Sequence, residues 1–252
     1  VNVEKVKDSM KFAYEFFQKA RSGFSFIDGT LIEFFRLLFD RPEILEWEKI
    51  WLERNKDLDK EIFGLVKWVN PKLSFGLNVW NRNHFNFIRK VQWPWLEQTN
   101  YADWVKPITY QHQSGEIFTR EINLFGKSAF NELSEKELIH AFAKILNINE
   151  KSLENLTQKG LDPDTYIYTQ CKDAVRGVEG KAKVYMGIGI DAPRSSEDQA
   201  KCTPEIAYRS VKATYKAGGE GIVLSPNYSS MKLSNLDGVA KALKELDIFH
   251  NE

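Results

Sequence analysis

The chain has 252 residues, enough for one large α/β domain or two smaller ones with a substantial buried core. Its 35 lysines and arginines balance 35 aspartates and glutamates, so the charge gives no footprint for nucleic acid or an anionic membrane. No stretch approaches the roughly 18 uninterrupted apolar residues of a spanning helix, which predicts a soluble chain. The sequence does not determine the cellular compartment. A periplasmic or secreted location is expected if an upstream signal peptide has been removed.

The first 70 residues are predicted to be the mainly helical N-terminal part of the fold. Apolar residues recur at helical spacing over 3–20 and again over 31–39. A third, longer helical pattern begins after Pro42 and ends at Asn70, which precedes a proline. Residues 24–28, ending at Asp28, are the one strand candidate in this part.

The remaining part, 71–252, repeats a unit of strand, polar loop and amphipathic helix. Strands are predicted at 73–80, 104–110, 183–190 and 221–225, and helices at 135–146, 163–175, from 204 onward and at 236–246. The Ser134-x-x-Glu137 pattern and the Thr203-Pro204 dipeptide each mark a helix start. Strands alternating with helices predict right-handed crossovers and a parallel sheet, and apolar, glycine-rich strands are typical of a sheet covered on both faces.

Four such units make half of an eightfold barrel. The predicted fold class is therefore α/β, of the (β/α)8 TIM-barrel type, or the C-terminal half of such a barrel preceded by helices. An upstream segment or a partner chain would then complete the barrel.

No metal site and no cofactor are predicted. The two cysteines, Cys171 and Cys202, lie far apart and have no zinc-ligand spacing. A disulfide between them and two buried free thiols are both compatible with the sequence. No Walker or Rossmann glycine pattern accompanies the strands.

Four segments, taken in order and spacing, carry a family resemblance. They are VNPKLSFGLN at 69–78, YAD at 101–103 before PITY at 107–110, YMGIGID at 185–191, and AGGEGIVLS at 217–225 followed by the NY pair at 227–228. From about residue 47 to its end, the chain resembles the C-terminal half of catalytic TIM barrels in the glycoside hydrolase superfamily, especially uncharacterised bacterial glycosyl-hydrolase-like proteins. The resemblance implies an oligosaccharide or glycoside as substrate. The balanced charge and the lack of a spanning segment predict neither nucleic acid nor a membrane as partner.

The carboxyl ends of parallel barrel strands converge on one face, where barrel chemistry takes place. Amide, hydroxyl and imidazole groups there would hydrogen-bond sugar hydroxyls, and flat aromatic rings would cover the apolar side of a sugar ring. The predicted substrate-binding residues are Asn78, Trp80, His84, Tyr110, His112, Ser225, Asn227 and Tyr228.

Glycosidic cleavage needs two carboxyl groups, one protonated and one ionised. The resemblance implies that Asp191 is the nucleophile, because it follows the strand that would be seventh in the barrel, although glutamate is more usual there. Asp28 and Glu116, the latter in the predicted loop after Tyr110, are the candidates for the acid/base group. Asp191 in its Asp-Ala-Pro context is equally compatible with a simple turn.

Two alternatives stay open. One is a noncatalytic glycan-binding or structural barrel, which the absence of a clear second carboxylate favours. The other is a barrel lyase or isomerase, in which a lysine or a metal does the chemistry. The predicted strands show no lysine at a strand end for a Schiff base, and no histidine and carboxylate cluster with metal-ligand spacing.

Overall fold

The computed structural model describes residues 2–192, 197 and 199–248. Its centre is a four-stranded sheet in the order β1-β2-β3-β4, with every neighbouring pair parallel. The strands are β1 (Gly76–Val79), β2 (Trp104–Pro107), β3 (Lys183–Gly189) and β4 (Gly221–Ser225). The predicted α/β class with a parallel sheet is confirmed. Within the described residues the sheet is open, with β1 and β4 at its edges.

Twelve helices surround this sheet in the described part of the chain. They are α1 (Val3–Arg21), α2 (Thr30–Asp40), α3 (Glu43–Val69), α4 (Arg82–Phe85), α5 (Phe87–Val91), α6 (Trp95–Gln98), α7 (Gln111–Gly126), α8 (Glu135–Leu146), α9 (Leu156–Lys159), α10 (Pro163–Val178), α11 (Pro204–Lys216) and α12 (Leu233–Glu245), with a short 3-10 turn at Tyr228–Ser230. None of them is long and apolar enough to cross a membrane.

The predicted helix starts are confirmed by their caps. The Ser134 side chain accepts from the backbone of Glu137, whose own side chain accepts from the Ser134 backbone N–H, which completes a capping box at α8. At α11 the Thr203 hydroxyl accepts from the backbone N–H of Ile206, and Pro204 occupies the first helical turn. Each cap satisfies backbone donors that a helix leaves unpaired, and so fixes where the helix begins.

Three predicted elements differ from the structure. Residues 24–28 form no strand, because Phe26 instead stacks on Phe16 of α1 with ring centroids 5.0 Å apart. After the first strand, where the repeated unit predicts a polar loop, the residues around His84 form the short helix α4. The predicted loop after Tyr110 is the first turn of α7, so the assignment of Glu116 to a loop is wrong. Residues 114–115, a serine and a glycine with low helix propensity, concealed that helix.

The hydrophobic core lies between one face of the sheet and a helical layer. Val105, Val184 and Met186 from the strands pack among buried side chains of α7, α8 and α10. Ile188 and the apolar faces of α11 and α12 form a second, adjoining cluster. Both cysteines are buried in these clusters as free thiols, so the disulfide alternative is not what the structure shows.

The opposite face of the sheet is partly exposed, although Gly187, Gly189 and Ser225 on it are buried, and we call it the open face. It carries the alternate residues of each strand: Gly76 and Asn78; Trp104 and Lys106; Tyr185, Gly187 and Gly189; and Gly221, Val223 and Ser225. Parallel sheets are normally covered on both faces. Within the described residues this face is therefore not covered as expected, and a covering layer does not explain the glycines of β3.

The N-terminal helices lie beyond the β1 side of the sheet. Lys67 of α3 pairs with Asp103, with 2.8 Å between Nζ and Oδ2, and Lys56 pairs with Glu97 at 2.6 Å. Thr30, at the start of α2, donates through its backbone N–H to Glu132. These contacts join the N-terminal helices to the segments around the sheet.

Candidate functional site

The open face has a compact polar cluster close to the carboxyl edge of the sheet. Lys106 of β2 donates through Nζ to Ser225 Oγ, the last residue of β4, at 3.4 Å. The Ser225 side chain also hydrogen-bonds with that of Tyr110, which follows β2. An amine and two hydroxyls from two non-adjacent strands therefore meet on one surface.

Two glycines of β3 make this meeting possible. β3 lies between β2 and β4, so the Lys106 side chain has to cross it to reach Ser225. A methyl group at Gly187 would lie 2.9 Å from Lys106 Cε, and one at Gly189 would lie 2.9 Å from the Tyr110 ring. Side chains at these two positions would block the crossing. The glycines are thus explained by the groups that pass over them.

Partial burial changes the ionisation of this cluster. Removal of Lys106 from water lowers its pKa, and no charge from a described neighbour opposes that shift. Burial raises the pKa of Tyr110, and the hydrogen bond with Ser225 partly opposes this. At neutral pH the cluster therefore combines an amine that loses its proton more readily than an ordinary lysine with a phenol that keeps its own.

Two aromatic rings lie on the same face, nearer the amino ends of the strands. The rings of Trp104 and Tyr185 have centroids 5.6 Å apart, and both side chains are half exposed. Each covers a glycine of the neighbouring strand, since a methyl group at Gly76 would lie 2.1 Å from the Trp104 ring and one at Gly221 would lie 2.8 Å from Tyr185. The open face therefore offers flat aromatic surface beside the polar cluster.

Four of the predicted sugar contacts are exposed, two at each edge of the sheet. Asn78 of β1 is exposed next to Lys106 in the strand register, and Trp80 follows that strand with 66% of its surface exposed. On the other edge Tyr228 is 87% exposed. Asn227 caps the short 3-10 turn through Oδ1, which accepts from the Ser230 backbone N–H at 3.2 Å.

The two predicted histidines are buried. His112, in the first turn of α7, lies parallel to the Tyr110 ring with centroids 6.3 Å apart, and its Cε1 would be 2.5 Å from a methyl group at Gly189. It therefore supports the Tyr110 ring. His84 lies on the helix-covered side, where Nδ1 is 2.9 Å from the Tyr166 hydroxyl. Burial lowers the pKa of His84 to about 3, so this side chain is a neutral core residue.

Asp191 follows β3, as predicted, but its carboxylate is engaged in the fold. Its Oδ2 accepts from the backbone N–H of Lys232 at 2.8 Å and from the side-chain amide of Asn235 at 3.0 Å. Lys232 is the N-cap residue of α12, and its own side chain makes no capping bond. Asp191 thus caps α12 from a distant part of the chain.

The other two predicted carboxylates are also paired. Asp28 lies at the surface among the N-terminal helices and forms an ion pair with Arg36, with 2.5 Å between the charged atoms. Glu116 lies in the second turn of α7 and accepts from the Gln199 side-chain amide at 2.7 Å. The described contacts therefore do not join Asp28 or Glu116 to Asp191 as a catalytic pair.

A cleft of about 600 Å³ lies near the carboxyl edge of the sheet, on its helix-covered side, and the sequence did not predict it. It lies between α9, α10 and α11, and its lining includes Gln111, Glu150 and Arg209. Arg209 is already paired with Asp162 and Asp164.

Across the described ranges, no group of three or more histidine, cysteine or acidic side chains is placed to hold a metal ion.

Lys106, Trp104 and Tyr185 were missed as site residues. Lys106 was placed inside a predicted strand reaching 110, whereas β2 ends at Pro107, so the lysine lies next to the strand end. Lys106 is thus one residue from the end of β2, a position at which the sequence indicated no lysine suited to a Schiff base. The signal that could have found it is the alternation of Trp104 and Lys106 with buried Val105, opposite the alternating glycines 187 and 189.

Comparison with protein-family models, with curated proteins and with solved structures finds no match for this chain.

Proposed function

We propose that the open face of the sheet binds a carbohydrate. The observation that carries this proposal is the combination on one uncovered surface of flat aromatic rings with amide, amine and hydroxyl groups. Sugars present apolar ring faces and several hydroxyls, so they need both kinds of contact. Trp104 and Tyr185 supply the flat surface, and Lys106, Tyr110 and Ser225 supply polar groups beside it.

We also propose that the four βα units are half of a (β/α)8 barrel of the glycoside hydrolase type. Four parallel strands in sequential order support this, because an eightfold barrel repeats the same neighbour relation. The exposed edges β1 and β4 are the surfaces with which four further strands would pair, and the carboxyl end of the open face would stay accessible at the mouth of such a barrel. An upstream segment or a partner chain would supply those strands.

Hydrolysis of a glycosidic bond would add a step to the same site. Asp191 is the half-buried carboxylate at the carboxyl edge, and it is the group proposed for that step. Its two hydrogen bonds to the start of α12 instead favour a role in the fold. Since Asp28 and Glu116 are paired elsewhere, binding without turnover is the reading that the geometry supports better.

Trp80 provides a test with a matched control. It is 66% exposed beside the proposed site, whereas Trp68 is 83% exposed on α3. We expect Trp80→Ala to weaken oligosaccharide binding by about tenfold, because loss of one stacked ring costs about 1 kcal/mol or more. Trp68→Ala should leave the dissociation constant unchanged. Titration calorimetry on a panel of methyl glycosides and oligosaccharides would measure both.

Two results would overturn the binding proposal. One is the absence of saturable binding to any member of the panel by a folded preparation. The other is an equal loss of binding in the Trp80 and Trp68 variants. Release of the aglycone from aryl glycosides, measured on the same preparation, would separate a hydrolase from a binding protein.

A further inference from the structure

Lys106 is unusual among the lysines of this chain in its surroundings. It lies on the open face, half buried, next to the end of β2, and its Nζ reaches a hydroxyl. Two other partly buried lysines pair with carboxylates: Lys56 with Glu97 and Lys67 with Asp103. Within the described ranges no carboxylate forms an ion pair with Lys106, and burial alone accounts for its altered ionisation. Lys106 is therefore a half-buried amine for which the described part of the fold provides no counter-charge.

We propose that Lys106 is a nucleophilic lysine that forms an imine with the carbonyl carbon of a small aldehyde or ketone, assisted by the hydroxyls of Ser225 and Tyr110. The crossing of β3 at Gly187 brings Nζ to Ser225, and the Ser225 side chain is hydrogen-bonded to Tyr110. The amine and its proton-carrying neighbours are thus placed together on a surface that a ligand can reach.

Ionisation supports the same role. A lysine attacks a carbonyl only as the neutral amine, and desolvation is one of the ways in which proteins lower the pKa of such a lysine. Burial lowers the pKa of Lys106 in this way. The raised pKa of Tyr110 keeps its hydroxyl protonated at neutral pH, so it can donate a hydrogen bond to the carbonyl oxygen.

The step balances without a further reactant. The nitrogen lone pair of Lys106 attacks the carbonyl carbon, a C–N bond forms, and the C=O π electrons move to the oxygen, which takes a proton from the Tyr110 and Ser225 hydroxyls. The nitrogen returns one proton to these hydroxyls, which gives the neutral carbinolamine. The hydroxyls then pass a second proton to the carbinolamine oxygen, the C–O bond breaks and water leaves, while the nitrogen lone pair forms the C=N bond. The second proton of the nitrogen restores the hydroxyls. Amine and carbonyl compound are thereby converted to imine and water, with no change of oxidation state.

This inference goes beyond carbohydrate binding and does not rest on it. The open-chain form of a reducing sugar would be a ligand for both, but a methyl glycoside has no free carbonyl and can only be bound. Binding of methyl glycosides and trapping of carbonyl compounds therefore fail independently. A protein that trapped carbonyls and bound no glycoside would retain the lysine chemistry alone.

Borohydride trapping tests the proposal. The full chain would be incubated with glycolaldehyde or dihydroxyacetone and sodium cyanoborohydride, which reduces an imine to a stable amine, and the modified lysines would be located by peptide mass spectrometry. Lys183, exposed at the start of β3 in the same sheet, is the internal reference. We expect Lys106 to be modified at least about tenfold faster than Lys183.

Two variants make the result decisive. Lys106→Arg should abolish the fast-labelled peptide while circular dichroism remains native. Tyr110→Phe should slow labelling at Lys106 by about tenfold or more and leave labelling at Lys183 unchanged, because proton transfer by a positioned side chain is worth at least that much. Labelling at Lys106 no faster than at Lys183 in folded protein would overturn the proposal. Unchanged labelling in Tyr110→Phe would overturn the role of the hydroxyl.

Discussion

Replacement of Asp191 by alanine tests whether this carboxylate acts in the fold or in chemistry. The change removes the acceptor that caps α12 through Lys232, and loss of an N-cap costs about 1 kcal/mol. It also removes the short hydrogen bond from the amide of Asn235, a side chain only 2% exposed, and an unsatisfied buried group costs about 1–3 kcal/mol. A longer contact to the Cys202 carbonyl, at 3.4 Å, retains part of that second contribution.

The expected loss for Asp191→Ala is therefore about 2–3 kcal/mol in the free energy of unfolding, or roughly 4–12 °C in Tm for a chain of this size. Asp191→Asn keeps an oxygen acceptor in the same place and should lose about 1 kcal/mol or less. Asp237→Ala, an exposed acidic residue on α12, is the matched control and should change stability by no more than about 0.5 kcal/mol. Thermal and urea unfolding followed by circular dichroism would measure all three.

The reasoning is refuted if Asp191→Ala unfolds at the same temperature as the parent protein. It is also refuted if Asp191→Asn, with native stability, abolishes a glycosidase activity that the parent protein shows. That second result would assign the carboxylate to catalysis, because the amide preserves the cap and removes only the charge.

Two further predictions concern packing and pH. Gly238→Ala in α12 should lower the free energy of unfolding by about 1–3 kcal/mol, because the new methyl group would lie 2.1 Å from the Pro204 carbonyl oxygen. Gly64→Ala in α3, where no atom lies within 4 Å, should raise it by up to about 1 kcal/mol. Urea titrations that gave both variants the same sign would contradict the close contact between Gly238 and Pro204. His84, whose pKa burial lowers from 6.5 to about 3, stays neutral in the folded state while the unfolded chain takes up a proton, so its contribution to stability is present above pH 6.5 and is lost as the pH falls. Between pH 6.5 and 4.5 this loss is about 2 kcal/mol in the free energy of unfolding. His84→Gln should remove it, whereas His140→Gln, at an exposed position, should not. An equal pH dependence in the parent protein and the His84 variant would show that His84 is accessible to protons.

The alternation of strands and helices in the sequence was enough to predict the parallel sheet. Local signals decided these elements, since the Ser134 capping box and the Thr203 cap act within one turn. α7 was missed because Gly115 is unfavourable in an isolated helix. In the fold that glycine is required, since a methyl group there would lie 2.1 Å from the backbone oxygen of Leu156. Tertiary packing thus overrode the local preference.

The candidate site was less predictable because its residues are joined across strands. Asp191 was located correctly after β3, but its partners Lys232 and Asn235 follow more than forty positions later, as the separations of 41 and 44 show. Lys106 contacts Ser225 over a separation of 119 residues. No local pattern records such a contact. The alternating glycines 187 and 189 of β3 are the one local signal of this contact, and their meaning becomes clear only when the strand register is known.

The glycines of the open face also determine which substitutions the chain can tolerate. Half-exposed positions usually accept many residues, but Gly76 and Gly221 are overlaid by aromatic rings, and the buried Gly189 lies against the Tyr110 and His112 rings. In a saturation mutagenesis experiment these three positions should therefore be as intolerant as the core, even to alanine, whereas the flexible Lys106 stem can move away from an alanine at Gly187. The mutational profile of this face should therefore show where the protein's own aromatic rings lie against the sheet.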